Sequence, residues 1–148
     1  MQLTRFTDFT LRVLIYLAAH PGRLSSIAEI ARAYGISHNH LMKVVHELGK
    51  SGLVEGVRGR AGGIRLARRP EAINVGKVVR VTEDRFEMAE CGSCVIAPAC
   101  GLNRALCQAV AAFLAVLDRY TLADLAQKQS KLARLLDAGP PAEAAAGD

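Results

Sequence analysis

Four cysteines fall within 17 positions, as Cys91-x2-Cys94-x5-Cys100-x6-Cys107, and the chain has no others. Thiols packed this densely in a chain expected to stay in the cytoplasm serve metal binding or redox sensing more often than structural disulfides. Thiolates are soft donors that select zinc or iron–sulfur clusters. A structural zinc site usually pairs two closely spaced knuckles, and only one C-x2-C is present here. Three loop cysteines, Cys91, Cys94 and Cys100, with Pro98 among them, fit better an iron–sulfur cluster whose fourth ligand comes from elsewhere. Cys107 lies about 10 Å further along any helix that starts near Leu102, at ~1.5 Å per residue. That is far for a shared small cluster, so the expectation for Cys107 is a buried helical cysteine. A zinc- or thiol-based redox regulator is the alternative on the same residues.

A second chemistry lies in the amino-terminal half. Ser37, His38, Asn39, His40 and Lys43 share the polar side and start of one helical segment, where a recognition helix presents side chains to base edges. Asn can bond adenine in a bidentate manner, and Lys can meet guanine acceptors or a phosphate. Downstream, Arg58, Arg60 and Arg65 flank a glycine-rich turn and suit a minor groove or backbone. Residues 1–70 carry 11 Lys and Arg against 4 Asp and Glu, whereas residues 71–148 carry 8 against 10. Such asymmetry points to a polyanion partner for the first half, double-stranded DNA above all. A solvated basic surface would have the same charge; the helix pattern and the turn tip the reading toward DNA.

Those side chains need a frame. Thr7 or Asp8 can cap a first helix with Leu11, Leu14, Ile15 and Ala18 on its apolar face, ended by His20-Pro21-Gly22. Ser25 or Ser26 caps a second helix with Ile27, Ile30 and Ala31. Gly35 suits a left-handed turn, and Ser37 caps a third helix that buries Leu41, Val44, Val45 and Leu48. Leu53–Val57 and Ile64–Leu66 around the basic glycine loop read as a hairpin. The fold class is therefore mainly α, a winged helix-turn-helix DNA-binding domain with a long C-terminal dimerisation helix. That helix carries Leu102, Leu106, Val110, Phe113, Leu117 and Tyr120 at near-heptad spacing, which calls for a partner helix, most simply in a homodimer. The boundaries are 1–84 for the winged helix, with a short helix over 74–84, and 85–101 for the cysteine loop. Residues 102–137 hold the dimerisation helix and a C-terminal helix, and 138–148 form a disordered tail.

Several classes are excluded. At 51% hydrophobic and 22% charged residues the chain is globular. No apolar stretch approaches the roughly 18–20 residues of a membrane span, so no membrane role and a cytoplasmic location are expected. A catalytic or electron-transfer use of the cluster finds no support: Arg60-Ala-Gly-Gly-Ile lacks the pattern of a phosphate cradle, and no nucleophile constellation accompanies it.

The stretches Met1-Gln-Leu-Thr-Arg-Phe-Thr-Asp8, Tyr34-Gly-Ile-Ser-His-Asn-His-Leu-Met-Lys43 and Val57-Arg-Gly-Arg-Ala-Gly-Gly-Ile-Arg-Leu66 resemble the iron–sulfur winged-helix transcriptional regulator family. Pro98-Ala-Cys100 and Leu117-Asp-Arg-Tyr-Thr-Leu-Ala-Asp-Leu125 extend the likeness over roughly residues 1–127, toward the nitric-oxide-sensing branch. The resemblance implies a homodimeric repressor whose cluster reacts with nitric oxide and which then releases operator DNA. It places the cluster ligands on Cys91, Cys94 and Cys100, although the family's first two cysteines usually stand further apart. It makes Asp8 of the other subunit the fourth ligand of a [4Fe–4S] cluster, the favoured type, with [2Fe–2S] as the other possibility. Arg12, one helical turn on, would support that carboxylate through an i, i+4 pair.

Overall fold

Thr4 opens the first helix. Its side chain accepts the Thr7 N–H, and α1 runs Arg5–Ala19, so it starts a turn earlier than Thr7 or Asp8 would give. Thr7, Thr10, Val13, Leu14, Leu17 and Ala18 are buried on it, at the 3–4 residue spacing of one helical face. A computed structural model describes residues 2–83 and 85–140 of the chain. The expected tail falls mostly outside them; Ala138 completes the final helix.

The second helix, α2 (Ile27–Tyr34), begins at a reciprocal cap in which Ser26 Oγ accepts the Glu29 N–H and Glu29 accepts the Ser26 N–H. Gly35 follows at φ 64°, the left-handed conformation that the tight turn requires. The third helix, α3 (His38–Lys50), buries Leu41, Val44 and Leu48 and leaves His38, Asn39, His40 and Lys43 exposed. Ser37 holds its N-cap position without a side-chain cap bond. The hairpin follows as β1 (Val54–Val57) antiparallel to β2 (Gly63–Leu66), with Val54 opposite Leu66 and Val57 opposite Gly63. Ser25 pairs with Ile64 through both backbone bonds, 3.0 and 2.9 Å, and so ties the wing to the start of α2.

After a 3-10 turn at Pro70–Ala72, Asn74 caps α4 (Val75–Thr82). The cysteine segment separates it from α5 (Leu102–Leu117), and two shorter helices, α6 (Leu122–Leu125) and α7 (Gln129–Ala138), complete the described chain. α5 ends at Leu117, so Tyr120 lies beyond the helix on which its stripe was expected to sit. The physical reason is a joint with α4: Asp118 closes the helix, Arg80 donates to both its carboxylate oxygens at 2.5 and 2.7 Å, and Asn74 Nδ2 donates to the Asp118 carbonyl at 2.7 Å. Gly76 makes the approach possible, since a Cβ there would collide with Asp118 Oδ1.

One core unites these parts. α1 packs against α3, α4, α6, α7 and β2, and Leu132 and Leu136 of α7 join the cluster around it. His20 at the end of α1 stacks on Tyr16, and its Nε2 lies 3.3 Å from Asp137 Oδ1 on α7. α5 is the exception, with no buried residue in 16. No described helix is long and apolar enough to cross a membrane.

The Arg80 hydrogen bond holds the Asp118 carboxyl below the usual aspartate range. A depressed carboxylate stabilises the folded state above its unfolded pKa and loses that contribution as the pH falls through the folded value. Asp118→Asn should therefore melt below the wild type at neutral pH, with the gap closing below about pH 3.9; thermal unfolding across an acid series measures it.

Candidate metal centre and nucleic-acid interface

The cysteine segment hangs between α4 and α5 as a run of tight turns. The Cys94 N–H donates to the Cys91 carbonyl at 3.3 Å, Ala97 to Cys94 at 3.1 Å, and Cys100 to Ala97 at 3.4 Å. These steps return the chain toward itself every three residues, and all four thiols are free. Cys91 and Cys100 are partly covered and Cys94 is exposed. The Leu102 N–H, at the start of α5, donates to Cys100 Sγ at 3.5 Å. Backbone donors to sulfur are among the contacts that tune cluster thiolates. Soft donors, short turns and this N–H are the chemistry an iron–sulfur group would use, although the single chain does not bring Cys91, Cys94 and Cys100 together as a metal-binding group. Among the described residues of the single chain, no three His, Cys, Asp or Glu side chains form a metal-binding group.

Cys107 differs from expectation. It is exposed on α5, not buried, and its Sγ contacts Asn103 Oδ1 at 3.7 Å, one turn back on its own helix. It lies on an open part of α5, whereas Leu106, Val110, Phe113, Leu114 and Leu117 are partly covered.

Asp8 stands on the first turns of α1, half-exposed, with Arg12 Nε donating to both carboxylate oxygens at 3.0 Å. Arg12 in turn lies over the Tyr34 ring, 5.6 Å from its centroid, and the Tyr34 hydroxyl donates to the Arg12 carbonyl at 3.0 Å. Burial pushes the Tyr34 pKa up to about 12, so the hydroxyl stays a donor. Tyr34 ends α2 immediately before the Gly35 turn. The next residue to Asp8, Phe9, meets the ring of His40 at 6.2 Å. The acid on α1 is thus one side chain away from each half of the helix-turn-helix. Sequence reasoning saw the Asp8–Arg12 spacing and missed Phe9 and Tyr34, because their partners lie on other helices.

Of the residues picked out for nucleic-acid contact, Ser37, His38, Asn39, His40 and Lys43 are all exposed at the start of α3. His38 and Arg58 border an open groove of about 610 Å³ between the start of α2 and the wing, with Ser26 on its far side. Within the wing the three arginines are unlike one another. Arg65 donates to Glu55 at 2.5 Å, directly across the hairpin, while Arg58 and Arg60 have no acidic partner among the described residues.

Comparison with known proteins gives this arrangement its family. Residues 3–128 match the model of Rrf2, described as an iron-dependent transcriptional regulator. The chain is similar to the HTH-type transcriptional regulator NsrR of Bacillus subtilis, 55% identical over 142 residues, covering 92% of this chain and 97% of that one. It is 49% identical over 146 residues to NsrR of Halalkalibacterium halodurans, covering 95% and 100%. Among solved structures it is similar to CymR, the global cysteine regulator of B. subtilis, with a TM-score of 0.72 and 31% identity over 86% of this chain and 98% of that one. T. potens IscR follows at TM-score 0.70 and 29% identity, covering 89% and 90%. The chain belongs to the Rrf2 family of transcriptional regulators, DNA-binding winged-helix proteins and not enzymes.

Proposed function

We propose that the chain is a homodimeric iron–sulfur repressor of the cytoplasm that senses nitric oxide and then releases operator DNA. The observation that carries this reading is the placement of α5. A 16-residue apolar helix without a buried residue bears the cysteine segment at its amino end. Covering that helix with a second copy would complete the burial of Val110, Phe113 and Leu117, which are already partly covered, for a fraction of the roughly 1.5–3 kcal/mol that full burial of each would give. The reading further requires that this pairing bring the cysteines of one chain toward helix α1 of the other.

In this assembly Cys91, Cys94 and Cys100 hold a [4Fe–4S] cluster, with [2Fe–2S] as the other type, and Asp8 of the partner copy supplies the fourth ligand. When bound, the group supplies an iron that combines with nitric oxide, and a hard carboxylate is its most replaceable ligand. Arg12 holds both Asp8 oxygens and so presents the carboxylate in one orientation. Asp8 would be the ligand exchanged when the signal arrives, and losing it would free α1 from the partner. Phe9 and Tyr34 transmit the shift of α1 to His40 at the start of α3 and to the turn before it. Such a two-state element, biased by a ligand, is what allosteric control requires. Ser37, His38, Asn39, His40 and Lys43 meet the major groove, and Arg58, Arg60 and Arg65 meet the neighbouring backbone or minor groove. The two-fold axis implies a palindromic operator.

Arg58→Ala and Arg60→Ala should each weaken duplex binding and reduce the slope of log K against log salt by about 1 per lost phosphate contact. Arg65→Ala should do less, because Glu55 already neutralises that charge; fluorescence anisotropy over a salt series reads all three.

Phe113→Asp should yield monomers or aggregates, because a carboxylate would be buried without a partner. Light scattering reads the outcome, and a soluble dimer of wild-type size would contradict the interface.

Anaerobic reconstitution with iron and sulfide tests the ligand set. Cys91→Ala, Cys94→Ala and Cys100→Ala should each lose the cluster, Asp8→Ala should keep one with an altered spectrum and nitric-oxide response, and Cys107→Ala should match the wild type. A colourless, zinc-loaded protein after reconstitution would replace the cluster reading with a zinc or thiol regulator.

A further inference from the structure

One carboxylate outside the ligand set lies at the root of the cysteine segment. Glu83 is the residue at which the chain leaves α4, and it receives donors from the beginning of α1. The Thr4 N–H donates to its Oε1 and Oε2 at 3.1 and 3.2 Å, and the hydroxyls of Thr4 and Thr7 donate to Oε2 at 3.0 and 2.5 Å. Thr7 is fully buried and its bond is part-buried, unlike the exposed bonds from Thr4. The opening of a helix leaves N–H groups unpaired and carries partial positive charge; a carboxylate there meets both conditions. An ordinary capping acid comes from three residues further along the same helix. This one comes from 79 residues away.

Thr4 is where the clamp reaches Asp8. Its carbonyl accepts the Asp8 N–H at 3.0 Å, while its N–H and hydroxyl are held by Glu83. Beside the clamp, Leu3, Phe86, Met88 and Phe113 line a cavity of about 280 Å³. The start of the chain, the root of the cysteine segment and the apolar helix α5 therefore meet at one point. We infer that Glu83 is a positioning residue, fixing the first turn of α1 and hence the Asp8 carboxylate in the place from which it is offered to the partner's cluster. The inference rests on the reading of Asp8 as a ligand. A consequence is built into the covalent chain. The helix that gives an acid to one cluster is fastened to the segment that supplies thiols to the other.

The test uses the full-length dimer as Asp8→Ala, Glu83→Ala, Glu83→Gln and the double variant Asp8→Ala/Glu83→Ala. In the apo form, amide hydrogen exchange at Asp8 should be about tenfold faster in Glu83→Ala than in the wild type, a local opening of the helix start. Glu83→Gln, which keeps an acceptor oxygen and the side-chain length, should restore slow exchange. After anaerobic reconstitution, the visible circular dichroism of Glu83→Ala should move toward that of Asp8→Ala, and the double variant should go no further. An Asp8→Ala spectrum that changes beside a wild-type Glu83→Ala spectrum overturns the positioning role and leaves the ligand reading standing. A wild-type spectrum from Asp8→Ala itself overturns the ligand reading and the inference with it. If Glu83→Ala does not fold, Thr4→Val removes a hydroxyl donor of the same clamp; wild-type exchange at Asp8 in that variant overturns the proposal.

Discussion

Burial of one face of α1 is the constraint on which the other elements depend. Val13 and Leu14 are fully buried, and Tyr16, Leu17 and Ala18 nearly so. The recognition helix, the wing strand β2, α4, α6 and α7 all use that helix as their floor. A helix so enclosed cannot tilt by itself; whatever moves it repacks its neighbours, and close-packed interiors resist small changes. Against this, the Asp8–Arg12 pair is energetically slight. Both side chains are more than 40% exposed, and an exposed i, i+4 pair contributes about 0.3–0.5 kcal/mol. Its value lies in orientation. The single Nε–H shared between both oxygens at 3.0 Å points the carboxylate along one direction.

The chain joins its parts unevenly. α4 is bound to the end of α5 by Arg80, Asn74 and the missing side chain of Gly76, and to the start of α1 by Glu83. Among the described residues between Glu83 and Leu102 the backbone hydrogen bonds are local turns, and Val95 and Ile96 stand exposed. A firm frame thus encloses a soft insert, and the insert carries the thiols. Few buried apolar contacts and local hydrogen bonding are the features of a segment that can rearrange at low cost.

Much of the frame was legible in the sequence because it rests on local rules. The 3–4 spacing of Leu41, Val44 and Leu48, the serine before α2 and the glycine after it, and the basic loop between two β segments each have a short-range cause. The features that escaped have partners far away along the chain. Thr4 outcompetes Thr7 and Asp8 as the helix start, and it does so with Glu83 completing its cap from α4. α5 stops before Tyr120 because Asp118 is held by Arg80, 38 positions earlier. Of the candidate site, the cysteine spacing and the Asp8–Arg12 pair were readable, whereas the Phe9–His40 and Tyr34–Arg12 contacts that join α1 to α3 and α2 were not. The exposure of Cys107 was misjudged for a related reason: an apolar sequence reports that a surface will be covered, not which chain will cover it.

The docking of α7 on α1 bears on how the protein is made. Gln129 follows Ala19 by 110 positions, and at ~5–20 residues per second the ribosome needs on the order of 5–20 s to travel between them. From the completion of β2 at Leu66 onward the nascent chain holds the helix-turn-helix and the wing but lacks Leu132, Leu136 and Asp137, which close over the first helix. The DNA-reading part is synthesised early and completed late. The first helix therefore keeps an uncovered face until α7 has been made and has reached it.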